Sequence, residues 1–141
     1  MAVAASFACT VLTQESLLDL LFVGPQAYCY TAGRGLAHAD HMLEILAAVR
    51  PSHERRFSAL EEIVVNHASA VSGCILVLLH WDAERQRLVQ KLHALNLPLT
   101  VLVIRKPGDR TQFHPGPMAD TPERFVVLDV GKVEEQLALL G

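Results

Sequence analysis

The chain has 141 residues, of which 51% are hydrophobic, and a formal net charge of −3. This length suits one domain with a substantial core, so we expect a single domain over residues 1–141. Basic residues are scattered, which argues against nucleic acid as a partner. The sequence has no basic signal-peptide start and no apolar run near the ~20 residues that span a bilayer, so we expect no membrane contact by this segment.

The cysteine content indicates whether the protein works in a reducing or an oxidising compartment. There are three, Cys9, Cys29 and Cys74, and an odd number cannot pair completely within one chain. Two of them lie in predicted strands. We therefore expect three buried free thiols in a reducing environment, and a cytoplasmic location.

The N-terminal part predicts a helix followed by a β-hairpin. Residues 2–12 are mostly small and apolar, which indicates a helix that can lie close to a sheet. The apolar run 18–23 predicts a strand that Gly24 and Pro25 end, and residues 26–31 alternate as a half-exposed strand does. We expect the two strands to pair.

Two further helices are predicted before the centre of the chain. An amphipathic pattern predicts the first over residues 40–49. Ser58 and Glu61 have the spacing of a capping box, so we expect Ser58 to cap a second helix that ends near Gly73.

Residues 73–105 predict the central unit of the fold. The apolar runs 74–79 and 99–104 are typical of strands buried on both faces. The side chains expected to be among the most buried are Ile75, Leu76, Val77, Leu78, Val101 and Val103. Asp82 is well placed as N-cap of the amphipathic helix between them. Two such strands joined by one helix imply a right-handed parallel crossover. The predicted fold class is α/β, an open and mostly parallel sheet with helices on both faces.

The C-terminal part contains one long segment without periodicity. It covers residues 106–123, and loops of this length are commonly functional or mobile. A strand over 124–130 and a short helix over 132–140 are predicted after it.

Candidate binding residues lie where the central strand ends. Ligands of open α/β sheets gather outside the carboxyl ends of the strands. Trp81 and Asp82 are therefore the best-placed candidates, with Arg85 close behind them. The alternative is that Asp82 only caps its helix.

Two other patterns have ordinary explanations. His38 and His41 have a spacing that allows two metal ligands, but surface histidines at a helix start also explain them. The glycines of residues 33–35 could hold a phosphate, yet no Lys-Ser/Thr sequel follows and a turn accounts for them. The sequence offers no nucleophile with a base and no paired carboxylates, so we assign no catalytic residue.

Five stretches together resemble a known family: residues 4–8 (AASFA), 20–30 (LLFVGPQAYCY), 33–36 (GRGL), 42–46 (MLEIL) and 73–85 (GCILVLLHWDAER). They are similar to the C-terminal half of bacterial MoxR-associated proteins of unknown function with a von Willebrand factor A-like domain. The resemblance covers nearly the whole chain and rests on overall pattern. It implies that the chain is a fragment of a larger protein.

The resemblance also implies a sheet of strand order 3-2-1-4-5-6 and a metal site. That site combines an Asp-x-Ser-x-Ser loop, a Thr and a later Asp. Asp82 falls at the position of the later Asp, and Ser58 lies near the position of the Thr. The loop and the family's first strand would precede residue 1. We therefore expect Mg²⁺ only in a full-length parent, with Asp82 and Ser58 as the candidate ligands that this chain retains.

The function that the resemblance implies is a non-enzymatic interaction or scaffold module for MoxR-type AAA+ ATPases. Its full-length parent would be tethered to the cytoplasmic face of the membrane. Trp81, Asp82 and Arg85 are the candidate partner-binding residues. The alternative hypothesis is a small nucleotide- or metal-dependent α/β enzyme that uses the strand ends around His80, Asp82 and Arg85.

The missing first strand bears on the oligomeric state. In the family's order it would lie between the strands predicted over 18–23 and 74–79, and its absence leaves an apolar edge on each. The two strands either close up, which shifts packed helices by ~4.8 Å, or a second copy covers the gap. Because well-packed helices resist such a shift, we predict a homodimer.

Overall fold

The computed structural model describes five parts of the chain and divides it into two compact units, Met1–Val64 and Val65–Gly141. The described parts are residues 3–6, 18–23, 27–32, 36–50 and 56–139. The helix predicted over 2–12 is helical at residues 3–6, and the rest of it lies outside these parts. The glycines of residues 33–35 also lie outside them.

The first unit contains the predicted hairpin. β1 (Leu18–Val23) pairs antiparallel with β2 (Ala27–Ala32), and Val23 stands opposite Ala27. These two strands form a sheet of their own, whereas the resemblance implied that they share a sheet with the later strands.

Two helices follow the hairpin, and both begin earlier than predicted. α1 (Leu36–Ala48) starts four residues ahead of the prediction, because nothing between Leu36 and Asp40 interrupts a helix. Met42 is fully buried in it. α2 (Phe57–His67) starts ahead of Ser58, and the Ala59 N–H already donates to the Arg56 carbonyl at 3.0 Å. The prediction that Ser58 is the N-cap is therefore wrong, since this residue lies within the first turn.

The second unit contains a parallel sheet in the order β3-β4-β5. The elements are β3 (Cys74–Leu78), α3 (Ala83–Ala94), β4 (Leu99–Arg105), β5 (Phe125–Asp129) and α4 (Val133–Ala138). An open sheet of parallel strands with helices around it confirms the α/β fold class.

Local signals account for the ends of α3. Asp82 caps its start, as predicted. After the last turn Asn96 adopts a φ of 55°, the left-handed conformation that stops a helix. The buried residues of α3 are Leu88, Val89 and Leu92, whereas Leu95 lies past the end of the helix and is exposed.

The core of the sheet matches the prediction except at the outer strand. Leu76, Leu78, Val101 and Val103 are buried, as expected. Ile75 is 40% exposed and Val77 is half-buried, so the predicted burial of these two residues is wrong. The reason is their position, because β3 has a strand neighbour on one side only among the described residues.

The described cysteines are free thiols with different surroundings. Cys74 is half-buried, and burial raises the pKa of its thiol to about 11. Cys29 is exposed, so the prediction of burial is wrong there, and Cys9 lies outside the described residues. Within the ranges the structure covers, every helix is too short or too polar to traverse a bilayer.

Candidate functional site

Asp82 lies at the carboxyl end of β3 and binds the first turn of α3. Its Oδ1 accepts the Arg85 backbone N–H at 3.1 Å, and its Oδ2 accepts the Arg85 Nη1 at 2.6 Å. Partial burial acts to raise the pKa of Asp82, but the hydrogen bonds and the positive charge of Arg85 outweigh it and lower that pKa below its ordinary value. Asp82 is therefore an ionised helix cap at pH 7.

Trp81 precedes that cap and is buried, with 8% of its surface exposed. The indole Nε1 donates to the His114 carbonyl at 2.8 Å. The ring lies against Phe125, with centroids 4.9 Å apart and planes tilted by 47°. Trp81 therefore connects the end of β3 to His114 in the long segment 106–123 and to Phe125 in β5. Of the three predicted partner-binding residues, Asp82 and Arg85 have the side chains that reach solvent.

A second Asp–Arg pair also lies at the carboxyl ends of the strands, where it links β4 to β5. Arg105 and Asp129 are register partners, and the Arg105 Nε and Nη2 donate to the two Asp129 carboxylate oxygens at 2.5 and 2.9 Å. The Arg105 Nη1 also donates to the Thr111 carbonyl at 3.3 Å. The Gln136 Oε1 accepts the Asp129 backbone N–H at 2.7 Å. The hydrogen bond from Arg105 is the main cause that lowers the pKa of Asp129.

Sequence reasoning missed this second pair. Its members are 24 residues apart, so no local pattern links them. A usable signal was present, because Arg105 and Asp129 each end an apolar strand. The carboxyl ends of adjacent parallel strands meet at one edge of the sheet.

The long segment 106–123 is anchored near the carboxyl ends of the strands. It contains one short 3₁₀ turn, Gly116–Met118, and leads into a second, Pro122–Arg124. Met118 is fully buried. Gly116 has a φ of +54°, and a Cβ there would lie 2.7 Å from the Gln86 Oε1 of α3. The Gly116 N–H donates to the His114 Nδ1 at 3.2 Å. The segment therefore packs against α3 and holds Trp81 in place.

The candidate metal ligands do not fit a cation. Both carboxylate oxygens of Asp82 already accept hydrogen bonds from Arg85, whose positive charge would repel a cation. Ser58 is exposed in the first turn of α2. His41 Nδ1 lies 3.6 Å from Glu44 Oε2, and both side chains are more than half exposed. Among the described residues, no three His, Cys, Asp or Glu side chains are grouped as metal ligands.

Comparison of the chain with family models, with curated proteins and with solved structures finds no match. The resemblance to MoxR-associated proteins therefore stays a prediction from the sequence. The same holds for the alternative of a nucleotide- or metal-dependent enzyme around Asp82. That alternative would require the Asp82 carboxylate to release Arg85.

Proposed function

We propose that this chain is a non-enzymatic protein-interaction module that binds a partner at the carboxyl end of β3. The observation that carries the proposal is the surface there. Leu79 is 69% exposed two residues before Trp81, and Asp82, with 48% of its side chain exposed, follows Trp81 and pairs with the partly exposed Arg85. An apolar centre with a polar rim is the general arrangement of protein contact sites, and Leu79 with the Asp82–Arg85 pair has that composition.

The rigidity of this corner supports the same function. Trp81 is fixed by His114 and Phe125, and Asp82 is fixed by two hydrogen bonds from Arg85. A surface held in one geometry loses little conformational entropy when it binds. The polar groups satisfy one another in the free chain and need no small ligand to do so.

We propose a MoxR-type AAA+ ATPase as the partner, and this proposal rests on the sequence resemblance. The same resemblance supports a cytoplasmic location, in a parent tethered to the inner face of the membrane. We also propose that the chain forms a homodimer. Interaction modules of this kind act by bringing proteins together, so both contacts serve one function.

Binding of a purified MoxR-type AAA+ ATPase to the immobilised chain tests the partner directly. We expect Asp82→Asn and Arg85→Gln each to weaken binding by about tenfold, the size of effect that a central charged contact has. Asparagine also caps helices, so the first variant keeps the cap while removing the charge. Arg87→Gln, on the exposed side of the same helix, is the matched control. If the unaltered chain shows no binding, this partner is excluded.

A further inference from the structure

One edge of β3 has unpaired main-chain groups within the part of the chain that the structure describes. β3 pairs with β4 on one side, and within the described residues no strand pairs with its other side. The Cys74 N–H donates to the Pro98 carbonyl at 2.9 Å, which turns the main-chain groups of Cys74 toward β4. Because these groups alternate in direction along a strand, those of Ile75 and Val77 point away from β4. This edge can therefore accept a further strand.

The side chains along that edge are apolar and partly exposed. Ile75 and Val77 lie on one face of β3, with Ile75 40% exposed and Val77 half-buried, and Leu79, the residue after the end of the strand, is 69% exposed. Natural edge strands are commonly blocked by a charged residue, a proline or a bulge. The sequence from Cys74 to Leu79 contains no charged residue and no proline. Nothing in this strand discourages pairing.

We propose that two copies of this chain pair antiparallel along β3, with Val77 on the two-fold axis. Ile75 of each copy then faces Leu79 of the second copy, and facing residues exchange main-chain hydrogen bonds. The edge is self-complementary, because the positions two residues before and after Val77 both carry exposed aliphatic side chains. Such a contact is closed by its symmetry and does not extend into a fibre. It joins two three-stranded sheets into one.

The residues that flank β3 do not oppose this pairing. Asp82 is already neutralised by Arg85 at 2.6 Å, and Ser72 is uncharged.

This inference rests on the homodimer of the proposed function and gives it a surface and a register. It does not depend on the ATPase, so either contact can be refuted while the other stands. A single short edge buries little surface, which places the dimer among weak, reversible complexes. We therefore expect association to be visible across the micromolar to millimolar range.

Two double variants test the register by sedimentation velocity. Ile75→Lys with Leu79→Glu sets opposite charges in the facing positions, and we expect its dimer affinity to stay close to that of the unaltered chain. Ile75→Lys with Leu79→Lys sets like charges there and should weaken association by about tenfold or more. Leu95→Lys, at a leucine that is 54% exposed away from this edge, is the control and should change nothing.

Hydrogen exchange on the unaltered chain gives a second readout that needs no variant. The Ile75 and Val77 amides should exchange more slowly as concentration rises, while those of Leu76 and Leu78, which face β4, should not change. The proposal is overturned if the chain stays monomeric up to millimolar concentration. Equal association of the two double variants, or exchange at Ile75 that is independent of concentration, also overturns it.

Discussion

Strands β3 and β4 lie side by side in the parallel sheet, and both are runs of aliphatic residues. β4 has a strand on each side, and Val101, Leu102 and Val103 are fully buried. β3 has β4 on one side only among the described residues, and Ile75 reaches 40% exposure. The environment of each residue thus follows from the place of its strand in the sheet, and composition does not reveal it.

The two strands also differ in how their carboxyl ends are held. β4 ends in Arg105, which binds Asp129 of the next strand. β3 leads into Asp82, which binds Arg85 one turn further along the same helix. The first pair ties two strands together, and the second stabilises only the helix that follows it. The ion pair at the end of the central strand is therefore a long-range contact, whereas the ion pair after the outer strand is a local one.

The largest difference between the two strands should appear in leucine truncations. Leu102→Ala leaves a cavity in the centre and should lower the free energy of unfolding by about 2–5 kcal/mol. Leu79→Ala removes the same atoms from an exposed position at the end of the outer strand, and its effect should stay within roughly 0.5 kcal/mol. Urea unfolding at low protein concentration measures both. Similar losses for the two variants would contradict the assignment of β4 as the central strand.

The next effect is a pH dependence from the pair that ties β4 to β5. The pKa of Asp129 is lowered in the fold, so the pair stabilises the native state above the unfolded-state pKa of about 3.9. That contribution is lost as pH falls through the lower pKa of the native state. Asp129→Asn should therefore be destabilised at pH 7, and its difference from the unaltered chain should shrink at acidic pH.

Unfolding curves measured across the acidic range check this second prediction. Asp120→Asn, an exposed carboxylate in the preceding segment, is the control. A constant difference between Asp129→Asn and the unaltered chain at every pH would show that the Asp129 charge does not stabilise the sheet.

A smaller effect is expected at the end of the outer strand. Asp82→Ala removes the cap of α3 and should lower the free energy of unfolding by about 1 kcal/mol, whereas Asp82→Asn keeps a capping side chain and should lose less than half of that. Thermal unfolding followed by circular dichroism distinguishes the two. If both variants lose the same amount, the stabilisation comes from the ion pair with Arg85 and not from the cap.

The smallest expected effect is that of Mg²⁺ on the same carboxylate. Because Arg85 occupies both oxygens of Asp82, calorimetric titration of this chain with Mg²⁺ or Mn²⁺ should show no saturable binding in the micromolar range. Arg85→Gln is the informative variant, since it removes the guanidinium from Oδ2 while the backbone N–H of residue 85 still binds Oδ1. A saturable site in the unaltered chain that Asp82→Ala abolishes would restore the metal hypothesis.

The features that could be predicted from the sequence depend mainly on residues close together in the chain. The Asp82 cap and the stop at Asn96 were predictable because each depends on neighbours within one helical turn. The parallel pairing of β3 and β4 followed from two apolar strands joined by one helix. Ser58 misled for a related reason, since a capping-box spacing recurs within a turn and does not fix which residue begins the helix.

Long-range contacts account for what the sequence did not reveal. Ile75 lies in a run that looks fully buried, and only the strand order shows that β3 has a single strand neighbour among the described residues. Trp81 looked like a surface candidate because its polar neighbours suggested a strand end. Its partners Phe125 and His114 are more than thirty residues away along the chain, and no local pattern indicates that they cover it.

The burial of Trp81 has an optical consequence. It is the single tryptophan of the chain, so all indole fluorescence comes from the point where segment 106–123 meets the end of β3. Its emission should lie at short wavelength while the His114 carbonyl and the Phe125 ring enclose it. Lifting the segment would expose the indole to water and move the emission to longer wavelength, even with the helices and strands intact. The unlabelled chain therefore carries its own signal for whether this segment is seated.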